Sequence, residues 1–318
     1  MPAAQVRTRH AGGPRLPRSK SLVVHSADGT RLHTEVFGPA NGYPIVLAHG
    51  ITCSLRAWHE QITNLSRDFR VIAYDHRGHG RSAVPPPSAY SLDHLAADLD
   101  AVLAAALRPG ERAVVAGHSM GGIAISAWSD RFRHRVSERV DAVALINTTH
   151  GNLLDKIQLL RVPGMLRATR VAAARTMIRS LGGAPLVRGT QPGSMRFLQM
   201  MAVGADADPA ISHLLHDIFA ATPPAGRGAW ARVLVDELGP KVYIDLSGLT
   251  VPALVIGSSK DRLLPMCRAR KIAENVPNLL ELVEVDGGHC AMLEHPEVVN
   301  RQLRGLVGAV AAAQRISS

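Results

Sequence analysis

Gly117-His118-Ser119-Met120-Gly121 sets a serine between two glycines, directly after the apolar run 113–116 and directly before a helical pattern. A sharp strand-to-helix turn strains its central residue, and glycines two positions to either side remove side chains that would collide there. The chemistry on offer is nucleophilic attack. A hydroxyl is weak at neutral pH, so it needs a base in hydrogen-bond reach and a third group to orient that base. His289 follows Gly287-Gly288 just past the apolar run ending at Val285 and is the candidate base. Asp261 closes Gly257-Ser258-Ser259-Lys260-Asp261 after the run 253–256 and is the expected acceptor of the imidazole Nδ1 proton. Asp286 is its rival, but three residues from His289 it would have to fold back on its own turn.

A fourth component is His49-Gly50-Ile51-Thr52, after the run 45–48, where the glycine lets the chain turn a backbone N–H toward the serine. The N–H groups of Ile51 and Met120 are the expected oxyanion donors, each typically worth ~3 kcal/mol in the transition state. Gly50, Gly117 and Gly121 support this geometry, and His49 is read as a structural group bonded to loop backbone. His76 and His79 have ligand-like spacing without a third ligand, so they too are read as structural and no metal is expected. Cys53, Cys267 and Cys290 lie far apart without paired spacing, which fits a reducing compartment; Cys53 and Cys290 are read as small buried hydrophobes.

The elements that must position these groups alternate along the chain. Runs 22–26 and 32–37 join through Asp28-Gly29, a hairpin signal. Runs 45–48, 70–74, 113–116, 142–146, 253–256 and 280–285 are short and apolar, as buried parallel strands are. Helical spacing appears over 92–107, 123–132 and 298–313. The expected fold class is α/β: a mostly parallel eight-stranded sheet with helices on both faces and a helical cap insertion. Residues 21–149 and 248–318 form its core. Residues 150–247 break the rhythm with helix-like segments and no convincing strand, and are expected to be the cap.

The chain has 318 residues, 46% of them hydrophobic, enough for a full core, which excludes fibrous, disulfide-stapled and wholly disordered classes. Half of the formal charge of +10 lies in Arg7, Arg9, Arg15, Arg18 and Lys20, interleaved with Gly and Pro, so residues 1–20 read as a disordered basic arm. The arm lacks the apolar run of a secretory leader, and no stretch reaches the ~18 apolar residues of a membrane span. A cytoplasmic protein is expected, with room for peripheral membrane contact through the arm or through Arg161, Arg167, Arg170, Arg175 and Arg179 of the cap. Met165, Met177, Met195, Met200 and Met201 make the cap adaptable to acyl chains, though Met is equally a routine core residue.

Over residues 22–315 the chain resembles the α/β-hydrolase fold family with a cap. The resemblance rests on His49-Gly50, Tyr74-Asp75-His76-Arg77-Gly78-His79-Gly80-Arg81-Ser82, Gly117 to Gly122, Asp261-Arg262 with Pro265, and Gly288-His289. In that family the Asp-x-Arg-Gly-x-Gly-x-Ser segment is structural, which implies that Asp75, Arg77 and Ser82 fix a loop. Ser119 separates the chain from similar epoxide hydrolases and haloalkane dehalogenases, whose matching position holds an aspartate nucleophile. Relatives with serine include carboxylesterases, lipases, cofactor-free haloperoxidase-like enzymes and hydrolases of carbon–carbon bonds in ring-fission products. The last group usually has a Gly-rich loop where Ile51-Thr52-Cys53-Ser54 stands, and often tryptophan where Cys290 stands. The resemblance therefore implies a serine hydrolase that cleaves carboxylic esters through an acyl-enzyme, without a cofactor, on a medium-sized apolar or lipid-like small-molecule ester. Carbon–carbon hydrolysis and haloperoxidase-like chemistry are the enzymatic alternatives. A basic nucleic-acid or membrane-surface binder on a hydrolase scaffold is the non-enzymatic one, with no specific nucleic acid expected.

Overall fold

The computed structural model describes residues 15–154, 167–184, 202–204 and 207–317. Its strands are β1 (Ser19–His25), β2 (Arg31–Phe37), β3 (Pro44–Ala48), β4 (Arg70–Tyr74), β5 (Ala113–His118), β6 (Val140–Ile146), β7 (Ala253–Ser258) and β8 (Leu279–Val285). They form one 8-stranded sheet in the order β1-β2-β4-β3-β5-β6-β7-β8. The β1–β2 and β2–β4 pairs are antiparallel and the rest parallel. Gly29 takes the positive φ of 81° that the hairpin requires, and Asp28 Oδ1 accepts the Thr30 N–H at 3.0 Å. Strand β1 starts inside the stretch read as a basic arm: Ser19 and Lys20 pair with Phe37 and Val36 and belong to the sheet. As an edge strand, β1 carries exposed residues that composition alone reads as arm. Residues 1–14 lie outside the described residues.

Every residue of β3, β4, β5 and β6 is buried, because helices cover both faces of the sheet. Alternate residues therefore feed two cores. Val46, Ala48, Ile72 and Tyr74 pack with Leu95, Leu99 and Ile123, from helices Leu92–Ala106 and Met120–Arg131. Ile45, Leu47, Val71 and Ala73 pack with Ile62, Leu65, Val299 and Leu303, from helices His59–Leu65 and Pro296–Ser317. The helix read over 92–107 starts at Leu92 because the Ser91 hydroxyl accepts the His94 N–H at 3.1 Å, a side-chain cap. Helices His59–Leu65, Arg133–Arg139, Cys267–Ala273 and Ala291–Glu294 span one or two turns, too short to print a periodicity in the sequence.

The connection between β6 and β7 carries helices Arg167–Leu181, Pro209–Ala221 and Pro224–Glu237. Its two ends meet as a short ribbon: Gly151 bridges Tyr243, Ile244 N–H donates to His150 O at 2.7 Å, and Asn152 N–H donates to Val242 O at 2.8 Å. Helix Pro224–Glu237 is pinned to the core through fully buried Trp230, whose indole N–H donates to Arg77 O at 2.9 Å. Arg175 and Arg179 both pair with Asp236. Arg227 donates to the carbonyls of Gly182 and Ala184, just past the end of helix Arg167–Leu181, and lies over the Phe219 ring. These arginines thus tie the insertion to itself. Arg161, Met165, Met195, Met200, Met201 and the side chains of Arg167 and Arg170 lie outside what is described. Among the described residues, no helix is long and apolar enough to cross a membrane.

Candidate active site

The carboxyl ends of β3, β5, β6, β7 and β8 share one edge of the sheet: Ala48 registers with Gly117, His118 with Ile146, Ile146 with Ile256, and Ser258 with Val285. The residues singled out in the sequence sit on the loops that leave this edge, where parallel sheets place their ligands.

Ser119 follows β5 with φ 52° and ψ −116°, a conformation that L side chains rarely adopt. Hydrogen bonds at both its N–H and its carbonyl hold it there. Its N–H donates to Ile146 O at 3.0 Å, and its carbonyl accepts the Gly122 N–H at 2.9 Å and the Thr148 hydroxyl at 2.7 Å. The flanking glycines are obligatory by space: a Cβ on Gly121 would stand 2.1 Å from Ala48 O, and one on Gly117 2.4 Å from the carbonyl carbon of Gly121. The helix thus packs its backbone directly onto the strand.

His289 donates from Nδ1 to Asp261 Oδ2 at 2.8 Å, which leaves Nε2 as the basic nitrogen of the ring. The other Asp261 oxygen, Oδ1, accepts the N–H groups of Leu263 (2.9 Å) and Leu264 (2.8 Å), so the carboxylate is fixed and buried. Asp286 points elsewhere. It accepts from the Ser259 hydroxyl at 2.8 Å and pairs with Lys260 at 3.2 Å in solvent, and this hydroxyl contact holds its carboxyl below the usual range. The structure therefore joins Asp261, not Asp286, to His289.

The loop after β3 lies against the serine: a Cβ on Gly50 would be 3.1 Å from Ser119 Cβ and 3.0 Å from His118 Nδ1. Gly50 O accepts both His49 Nδ1–H (2.7 Å) and Cys53 N–H (3.2 Å). Thr52 adopts φ 63°, unusual for a β-branched residue, and its N–H donates to His79 Nε2 at 3.0 Å. Ile51 stands between these anchored neighbours. Met120 is the first residue of its helix, where N–H groups have no intrahelical acceptor. Both amides read from the sequence are thus carried on backbone that other contacts hold still.

Four buried histidines form this scaffold. His49 Nε2 accepts the His76 N–H at 3.0 Å, His76 Nε2–H donates to His49 O at 2.9 Å, and His79 Nδ1–H donates to Arg77 O at 3.1 Å. His118 Nε2–H donates to His289 O at 2.8 Å, with the two rings 4.8 Å apart. Burial holds all four neutral: it pushes His76 and His118 down to about 3, His79 to about 4, and His49 well below its ordinary value. Both ring nitrogens of His79 are engaged with protein groups, which removes it as a metal ligand. Arg77 grips Asp98 through two nitrogens (2.7 and 2.6 Å) and also reaches Asp28, while Asp75 accepts the Leu55 and Arg81 N–H groups. Ser82 donates to Asp75 O at 2.6 Å, completing the loop. Cys53 and Cys290 are buried free thiols, and burial pushes Cys53 up to about 12 and Cys290 well above its usual value, so neither is a ready thiolate.

Sequence reasoning missed Asn147. It follows β6 with φ 43°, and its amide donates to Asp261 Oδ2 at 3.0 Å and to Ser258 Oγ at 2.9 Å. A polar residue just past a buried strand at the ligand-bearing edge was the available signal. Thr222 of the insertion, whose hydroxyl donates to Thr52 O at 3.0 Å, had none.

A strained serine, a histidine–carboxylate pair and an anchored turn meet on one sheet edge, and comparison with known proteins agrees with that architecture. A family model described as the alpha/beta hydrolase fold matches residues 43–296. "Probable oxidoreductase EphD" of Mycobacterium tuberculosis is 28% identical over 302 residues, which cover 88% of this chain but 48% of the relative, so the chain spans about half that protein's length. "Epoxide hydrolase A" of the same organism is 29% identical over 320 residues, covering 88% of this chain and 95% of the relative. Among solved structures, the enol-lactonase from Burkholderia xenovorans LB400 superposes with a TM-score of 0.70 at 23% identity, covering 90% of this chain and 99% of that one. The chain belongs to the alpha/beta hydrolase fold family.

Proposed function

We propose that the protein is a serine hydrolase of carboxylic esters that works through an acyl-enzyme, with a medium-sized, largely apolar ester as substrate. The observation that carries this reading is the buried Asp261–His289 bond, on a loop tied through His289 O to His118, the residue preceding Ser119. Asp261 selects the tautomer in which Nε2 is free to take the Ser119 proton. Ser119 Oγ then attacks the ester carbonyl, and the Ile51 and Met120 N–H groups receive the negative charge that develops on its oxygen. His289 returns the proton to the departing alcohol. Water, deprotonated by the same imidazole, cleaves the acyl-enzyme and restores the serine.

A serine at this turn fits acyl transfer and not the aspartate-based opening of epoxides. The enol-lactonase resemblance is compatible, since a lactone is a cyclic ester. No step needs a cofactor. Initial rates on p-nitrophenyl esters of increasing acyl length, with Ser119→Ala beside the wild type, test the reading. Turnover that disappears in the variant and peaks at one chain length supports it. Activity of the purified variant equal to wild type, or a folded wild type inert at every length, sinks it. The latter outcome would move the assignment toward carbon–carbon or another specialised hydrolysis.

A further inference from the structure

The loop bearing His289 is held by more than Asp261. Helix Ala291–Glu294 ends in Glu294, whose carboxylate turns back under the loop. Its Oε2 accepts the Gly288 N–H at 2.8 Å and its Oε1 the Cys290 N–H at 3.1 Å, so the residues on both sides of His289 hang from one side chain. The same Oε2 accepts the N–H of Gly204, a residue of the β6–β7 insertion, at 2.8 Å. Cys290 N–H also reaches Ala202 O at 3.1 Å. Contact between the two segments is backbone to backbone: a Cβ on Gly288 would stand 2.3 Å from Gly204 N and 2.4 Å from Val203 C.

From this geometry we infer that Glu294 is a positioning residue for His289 and makes placement of the base depend on seating of segment 202–204 of the insertion. The inference rests on His289 being the base of the proposed reaction. Hydrogen bonds from N–H groups to a carboxylate are about twice as strong as neutral ones, and three of them converge here. Releasing them frees the two peptide groups that set the height and tilt of the imidazole. A displacement of ~1 Å at a reacting group typically lowers a rate about 100-fold. An oxygen at the Oε2 position alone serves both Gly204 and Gly288, whereas Cys290 has a second acceptor in Ala202 O. Glutamine therefore retains most of the function and alanine none.

The test compares Glu294→Ala and Glu294→Gln with wild type in two measurements. In ester hydrolysis, Glu294→Ala should lose at least about tenfold in kcat with KM within about twofold, while Glu294→Gln stays within about threefold of wild type in both. In hydrogen exchange of the full chain, residues 202–204 and 286–290 should exchange at least about tenfold faster together in Glu294→Ala, and at wild-type rates at Gly204 and Gly288 in Glu294→Gln. Equal impairment of the two variants, or unchanged exchange in either segment of the alanine variant, overturns the inference. So does a folded Glu294→Ala enzyme with wild-type kcat. Should the alanine variant not fold, Glu294→Asp, too short to span all three donors, is expected to show the same loss of kcat and is judged by the same criteria. A wild type inert toward esters would count against the ester reading; the exchange comparison would still decide whether Glu294 couples the two segments.

Discussion

Lowering the pH from 6 to 5 should destabilise this fold by about 3 kcal/mol, and the buried histidines are the reason. His49, His76, His79 and His118 are wholly enclosed, and burial pushes His76 and His118 down to about 3 and His79 to about 4. In the unfolded chain each titrates near 6.5. Between 6.5 and 4 the unfolded chain therefore binds protons that the folded one refuses, and stability falls as pH falls; above 6.5 both states are neutral and nothing changes. One such group contributes about 1.2 kcal/mol across this one-unit step, from a limiting slope of about 1.4 kcal/mol per pH unit. The three with defined values sum to about 3.5 kcal/mol, and His49 acts in the same direction. Asp75 and Asp98 oppose them, because burial raises both carboxyls and the folded state then takes up protons of its own. Urea unfolding followed by tryptophan fluorescence at pH 7.5, 6.0, 5.5 and 5.0 measures the net effect. A fall of less than about 1 kcal/mol between pH 6.0 and 5.0, with an unchanged m value, would falsify the assignment of these histidines as neutral in the folded state.

Removing the Asn147 amide from Asp261 should lower kcat/KM about tenfold in Asn147→Ala, read by initial ester-hydrolysis rates, with the circular dichroism spectrum retained. Asp261→Asn should cost about 10⁴ in kcat, whereas Asp286→Asn, altering a solvent-facing carboxylate, should stay within about twofold. Gly121→Ala should destabilise by about 3 kcal/mol or more, seen as a large fall in Tm, because the added methyl meets Ala48 O at 2.1 Å. Arg77→Lys should also lower Tm, since an ammonium cannot hold the two-pronged contact with Asp98, and leaving that carboxylate under-paired costs about 3 kcal/mol.

All eight strands were legible, but for different reasons. Strands β3 to β7 were legible because strands buried on both faces concentrate Val, Ile, Leu and Ala in short runs, and β1 and β2 through the turn at Asp28-Gly29. Strand β8, read as a buried strand, lies instead at the sheet edge with most of its residues exposed. The placement of Ser119, Asp261 and His289 on loops at one sheet edge was legible for a related reason: each follows a strand run within a few residues, and glycines mark the turns at the serine and the histidine. Besides the side-chain contact of Asn147 with Asp261, what escaped were interactions whose partner is a backbone atom far along the chain. His79 meets the N–H of Thr52, 27 positions away, and Glu294 meets that of Gly204, 90 positions away. Side-chain chemistry announces a donor or acceptor, but nothing in residue type says which peptide group it will face. The boundary at Ser19 was displaced for a simpler reason, since the exposed residues of an edge strand look like those of a tail.

The ribbon formed by Gly151 and Tyr243 brings the start and finish of the β6–β7 insertion to the same spot. To the sheet, this excursion of some ninety residues is a closed loop whose stem is already tied, so its length enters the folding free energy only logarithmically, at about 0.6 kcal/mol per doubling. Changes of length beyond that stem that spare the core contacts of Trp230 leave the tie between its two ends in place. A laboratory graft has the same freedom only where it keeps the contacts that cross from the insertion to the core, Gly204 with Glu294, Thr222 with Thr52 and Trp230 with Arg77.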